Sequence, residues 1–223
     1  VAVEREAESR LMIVADDYGY APAYDAGIVE AASAGAIDAV SVMVVRRPDP
    51  TALVETGVDL GLHLELPVEP ARAVSAAVDE QLARFVAMFG QSPTHLDGHH
   101  HCHARGGEAA LAVARTARRI GVAVRSVTAR HRTLLRRFGV VTADRLVGRT
   151  SETAPEQPAE ICAWLDEGKA PAGVTEWMVH PGHGGGGSSY DGGRERDLAL
   201  LLELGDRSRW LGRGVRRAGP SEL

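Results

Sequence analysis

The sequence predicts an α/β fold, a parallel sheet covered by helices. Three observations lead there. Short apolar runs alternate with segments that repeat apolar residues at helical spacing. The six candidate strands are separated by helices and not by hairpin turns. Carboxylates and imidazoles gather just after four of those strands, at the end where parallel sheets collect their ligands. A barrel and an open doubly wound sheet both meet these conditions.

The elements follow in order. LMIVA (residues 11–15) is short and apolar, hence a buried strand. Residues 22–33 place Ala26, Val29 and Ala32 on one helical face, and Gly35 follows where a helix-ending glycine belongs. AVSVMVV (39–45) reads as a strand, 51–56 as a short helix and DLGLHLEL (59–66) as a strand. Residues 73–89 align Val74, Val78, Leu82, Phe85 and Phe89 on one helical face. THLDGHHH (94–101) is strand-like, 108–120 is helical up to Gly121, and VAVRSVTA (122–129) reads as a strand. Residues 132–154 suggest a short helix plus loop. Residues 155–167 read as a helix, with Pro155 and Pro158 in the first turn, where proline is tolerated. VTEWMV (174–179) is a strand, 184–189 a flexible loop and 194–204 an amphipathic helix. Neither a repeat nor a linker stands out, so residues 1–223 read as one domain with a core over about 11–204.

Composition narrows the function. The net charge of −5 supplies no basic stripe for a phosphate backbone, which argues against nucleic-acid binding. Two cysteines, Cys102 and Cys162, are too few for a disulfide framework. The apolar run at 11–15 is too short for a signal segment or a membrane span. A cytoplasmic protein is the expectation.

Asp16 and Asp17 follow the first strand, His63 lies near the end of the third, and His180 directly follows VTEWMV. Between them falls DGHHHCH (97–103), which holds four of the nine histidines of the chain. If the extended conformation continues past Leu96, Asp97, His99, His101 and His103 share one side and His100 takes the other. Such a row makes poor core, because each imidazole needs partners for two ring nitrogens. A metal ion would satisfy one nitrogen and a carboxylate or carbonyl the other. Cys102 falls out of phase and reads as a packed thiol. His131 reads as a surface residue. Gly184 to Gly187 lacks the Lys-Ser/Thr of a phosphate-binding loop.

ADDYG (15–19), GLHL (61–64), THLDGHHHCH (94–103) and HPG (180–182) occur in an order that resembles the YdjC-like family. YDGGRERDLALL (190–201) is similar to the closing Arg-Glu-rich helix of that family. The family contains carbohydrate deacetylases of the chito-oligosaccharide and hopanoid-associated types. The resemblance implies a distorted (β/α) TIM-like barrel and a hydrolase that removes an N-acetyl group from an amino sugar or N-acetylated oligosaccharide. It implies one divalent metal ion, magnesium or zinc, with Asp17, His63 and His103 as ligands. Asp97, His99 and His101 are then supporting groups or alternative ligands. Asp16 takes the place of the catalytic base, and His180 that of the acid or oxyanion partner. The implied partner is a small carbohydrate, with no nucleic acid, no membrane span and room for a homo-oligomer. Family members tend to have a longer segment after GLHLEL and an aromatic residue after HPG, where this chain has His183 and four glycines. Competing readings are a metal-dependent phosphoesterase on a similar barrel and a non-catalytic metal-binding relative.

Overall fold

Eight parallel strands form a single sheet in the computed structural model, which describes residues 8–68, 71–148, 161, 163, 164, 167, 170–206, 210 and 215–223. At its centre lies β1 (Ser9–Tyr18). One flank of β1 runs through β2 (Ala39–Val42), β3 (Asp59–Leu64), β4 (His95–Gly98) and β5 (Ala123–Val124). The other holds β7 (Gly173–Val179), then β6 (Arg145–Val147). The two-residue β8 (Arg216–Arg217) adds a parallel pairing at the start of β1. The sheet curls into a half-barrel with helices around it, the distorted barrel form of the α/β class.

Burial explains the order. Leu11, Met12, Ile13, Val14 and Ala15 are all nearly inaccessible, so β1 is apolar on both faces, as a strand sandwiched inside a parallel sheet must be. Helix α1 (Pro22–Ser33) starts with proline at its first position and returns over β1. A short helix, α2 (Thr51–Glu55), precedes β3. Helix α3 (Ala71–Phe89) lays Val74, Val78, Leu82 and Phe85 into the core, with Phe85 and Phe89 rings 4.6 Å apart. It packs on β3 and on α4 (Gly106–Ile120). Each such large apolar side chain contributes about 1.5–3 kcal/mol by burial. Gly121, at φ 74, ends α4 in the left-handed conformation that glycine adopts freely.

Several boundaries differ from the sequence expectation. The strand expected over 122–129 pairs only at Ala123 and Val124. Thr128 then caps α5 (Ala129–Arg137), accepting a hydrogen bond from His131 N–H. The apolar run 39–45 leaves the sheet after Val42 and turns through a 3₁₀ segment, Val44–Arg46. The last helix, α6 (Asp191–Leu204), begins three residues ahead of the apolar pattern. The helix expected over 155–167 lies largely outside the described residues. No helix among the described residues is long and apolar enough to cross a membrane.

Candidate metal centre

The site forms at the carboxyl ends of the strands. β1 and β2 lose register between Ala15 and Tyr18, so Asp16 and Asp17 occupy a β-bulge. Asp17 takes a left-handed backbone (φ 73), rare for a residue with a side chain. The bulge sends the two neighbouring carboxylates to different partners.

Asp17 meets two imidazoles through one oxygen. Its Oδ1 lies 3.2 Å from His63 Nε2 and 2.9 Å from His99 Nδ1. One ligand atom from each of Asp17, His63 and His99 falls within 4.8 Å of the other two. His63 stands at the end of β3, and its Nδ1 is 2.8 Å from Asp97 Oδ1 on the neighbouring strand. That contact anchors the ring through Nδ1 and turns Nε2 towards Asp17, the orientation in which Nε2 could bind a metal ion on giving up its proton. Burial would raise the Asp17 pKa, but hydrogen bonds from His63 and His99 hold it well below the usual carboxylate range. Burial likewise opposes a charge on His63, yet Asp97 and Asp16 overcome it and push its pKa well above the usual imidazole value. One carboxylate oxygen and two imidazole nitrogens, with one ring already anchored from behind, form a donor set that fits a divalent ion with coordination positions left for water or substrate.

Behind this trio lies a buried ionic network around Arg125, which follows β5. Its Nη1 and Nη2 donate to Asp16 Oδ2 and Oδ1 at 2.6 and 2.8 Å, a two-pronged contact. Nη2 also sits 2.8 Å from Asp97 Oδ2, and Nε donates to Glu176 on β7. Ser41 on β2 donates to Asp97 Oδ2 at 2.7 Å. Burial would discourage the Asp97 charge, but Arg125 and His63 keep its pKa well below the usual range. At Glu176 burial prevails over Arg125 and raises the pKa. A guanidinium with no exposure is tolerable only because three carboxylates surround it.

The remaining wall comes from the end of β7 and from α6. His180 N–H donates to Asp197 Oδ2 at 2.8 Å, and the His180 ring stands edge-on to Tyr190. His180 Nε2 is 4.0 Å from Asp17 Oδ2. Arg194 Nη2 donates to that same Oδ2 at 2.6 Å. Tyr20, His99, His100, His101, Ser188 and Tyr190 line a cavity of about 370 Å³ above these groups.

The structure thus brings together Asp16, Asp17, His63, Asp97, His99 and His180, and it leaves His103 apart. β4 ends at Gly98, and His99–Ala104 form a 3₁₀ segment in which His100 and His101 take left-handed angles (φ 50 and 56). The strand alternation expected through residue 103 therefore stops. His103 turns inward, where its Nε2 contacts Arg125 O at 3.1 Å and its ring lies near that of His131. His131, expected at the surface, is buried. His101 lines the cavity, outside the Asp17 group. Cys102 is packed as expected and donates to Leu64 O. Arg125, Glu176 and Arg194 escaped the sequence reading. A charged residue inside an apolar run, as in VAVRSV and VTEWMV, was the available signal for the first two.

A half-barrel that presents one carboxylate and two imidazoles at its strand ends defines a candidate metal-site protein of the α/β barrel class. Residues 10–70 and 67–205 match the profile of the family described as YdjC-like protein, and the chain belongs to that family. It is similar to a carbohydrate deacetylase of Mus musculus, 33% identical over an alignment of 132 residues, with 42% of this chain and 43% of that protein covered. It is also similar to a chitooligosaccharide deacetylase of Serratia marcescens, 28% identical over an alignment of 129 residues, with 43% of this chain and 51% of that protein covered. The chain spans about half the length of the curated relatives it matches. A solved structure from Enterococcus faecalis V583, provisionally ascribed to cellobiose-phosphate cleavage, superposes with a TM-score of 0.79 at 22% identity. It covers 97% of this chain and 99% of that one. That likeness is one of fold.

Proposed function

We propose that this chain is a metal-dependent carbohydrate deacetylase that removes the N-acetyl group from an amino sugar or N-acetylated oligosaccharide. The observation that carries this reading is His63 held between Asp97 and Asp17, with His99 on the same Asp17 oxygen. The named deacetylase relatives support the substrate class. The ligands are Asp17, His63 and His99. His103, the ligand that the family resemblance suggested, serves in this reading as a buried packing residue. The mixed oxygen and nitrogen donor set favours zinc over magnesium.

A divalent ion held there would polarise the amide carbonyl and acidify water. The protein's own groups do the rest. Asp16, aimed by the two-pronged Arg125 contact, accepts the proton of the attacking water. His180, held through its backbone by Asp197, protonates the departing sugar amine. The polar cavity wall orients the sugar hydroxyls. The second acidic group, Asp16, His63 and Asp97, shares His63 with the first, and Arg125 already engages both its carboxylates. It gives little support to the two-metal centre that a phosphoesterase would use. A single-domain, cytoplasmic enzyme completes the reading; whether it pairs with a second copy is a matter for its mass in solution.

The test is acetate release from a panel of N-acetylated sugars, with and without a chelator. Activity should require metal, and Asp16→Asn should lower kcat by about 10²–10⁴-fold while metal binding persists. Full activity in the Asp16→Asn protein, or activity insensitive to chelation, would refute the assignment.

A further inference from the structure

The cluster holds one cation that the deacetylation scheme does not use. Arg194, near the start of α6, is only 3% exposed, on the side of the helix that also buries Leu198 and Leu201. Its guanidinium carbon sits 4.0 Å from the centre of the Tyr24 ring and 5.8 Å from that of Tyr20. Aromatic faces of this kind hold a guanidinium in a fixed plane. Nε and Nη1 are buried and make no hydrogen bond among the described residues. Nη2 makes one, to Asp17 Oδ2. Asp17 is therefore the carboxylate that Arg194 hydrogen-bonds, and the same residue is the acidic member of the candidate metal set.

The two oxygens of Asp17 are divided. Oδ1 faces His63 and His99, and Oδ2 faces Arg194. An ion accepted by the trio would share this carboxylate with a guanidinium that is packed too tightly to swing away. Two consequences follow from charge alone. The carboxylate can offer the ion only Oδ1, because Oδ2 is already engaged. The guanidinium also repels the ion through a medium that screens poorly.

We infer that Arg194 is a positioning residue of the metal centre, one that restricts Asp17 to a single coordinating oxygen and holds the affinity for the ion down. The inference rests on the metal reading of Asp17, His63 and His99. A loosely held ion with fewer bonds to protein keeps more of its charge for the substrate oxygen, which gives the arrangement a use.

The test is zinc titration of the metal-free full chain by calorimetry, on the unmodified protein, Arg194→Gln and Arg194→Lys. Removing the charge should tighten zinc binding by about tenfold or more. Keeping it in the Lys variant should leave affinity within about threefold of the unmodified protein. A folded Gln variant that binds zinc equally or more weakly overturns the inference, as does a Lys variant that tightens like Gln. If the Gln variant is unfolded without metal, its melting temperature against zinc concentration reads the same affinity by linkage. A variant that stays unfolded at every zinc level makes Arg194 merely structural and overturns the inference too. Failure of the unmodified protein to bind zinc sinks the metal reading and the inference together, whereas binding without a charge effect sinks the inference alone.

Discussion

His99 and His103 lie four positions apart, and their surroundings oppose each other. His99 is half-buried with Nδ1 on the Asp17 carboxylate, whereas His103 is sealed in and burial drives its pKa down to about 3. His99→Ala should therefore weaken zinc binding by about tenfold or more. His103→Ala should leave affinity within about threefold but cost about 1–3 kcal/mol in urea unfolding, by emptying a packed site. The reverse pattern would return the ligand role to His103. Sequence spacing could not separate the two, because alternation along an extended strand puts both on one side. The left-handed pair His100 and His101 breaks that alternation, and no residue preference announces it. Charge at the site also predicts a pH response. His63 titrates above its unfolded value of about 6.5, so its contribution is complete below that pH and is lost as pH rises through the folded value. Asp17 and Asp97 titrate below about 3.9, so theirs is present above that pH and is lost as pH falls through their folded values. His103 works the other way: its folded value of about 3 lies below the unfolded value of about 6.5, so keeping it neutral costs stability as pH falls below about 6.5, and the metal-free protein should melt highest near about pH 6.5. A melting temperature that climbs steadily from pH 6 to pH 9 without metal would contradict this.

Among the elements, the loop after His180 departs furthest from expectation. Its glycines suggested flexibility, yet two of them make close packing contacts. A Cβ at Gly27 of α1 would lie 2.5 Å from Gly182 Cα, and one at Gly186 would lie 2.2 Å from the Tyr24 ring. The run HPGHGGGGSSY is thus a strap pressed against α1, with Ser188 N–H donating to Tyr24 Oη and Tyr24 bonded to Asp191. Gly27→Ala should destabilise the fold by about 1–3 kcal/mol in urea melts, as overpacking does. A loss under about 0.5 kcal/mol would mean that the strap yields. Periodicity revealed the long helices well, since α3 and α4 carry unbroken apolar faces. It said nothing of β6 and β8, which are two or three residues long and bear arginines. It also overextended the strand at 122–129, because Arg125 and Ser126 are buried there without joining the ladder, which stops at Val124. Tertiary contact decides such short segments, and spacing does not.

For the molecule as a whole, the parallel sheet and the end at which its chemistry gathers were legible, because polar residues directly after apolar runs mark the strand ends. The network that links Asp16, Asp97 and Glu176 through Arg125 was not, since its members come from four strands or their ends and meet only after folding. The fold therefore does two things to the site. It gathers the donors from distant parts of the chain, and it surrounds them with buried charges that fix each orientation. Both serve one claim, that a single divalent ion is held by Asp17, His63 and His99. Anomalous diffraction from zinc-soaked crystals tests it most directly. The account predicts one peak about 2.0–2.2 Å from Asp17 Oδ1, His63 Nε2 and His99 Nδ1. A peak ligated by His101 or His103 instead, or density at that trio without any anomalous signal, would contradict it.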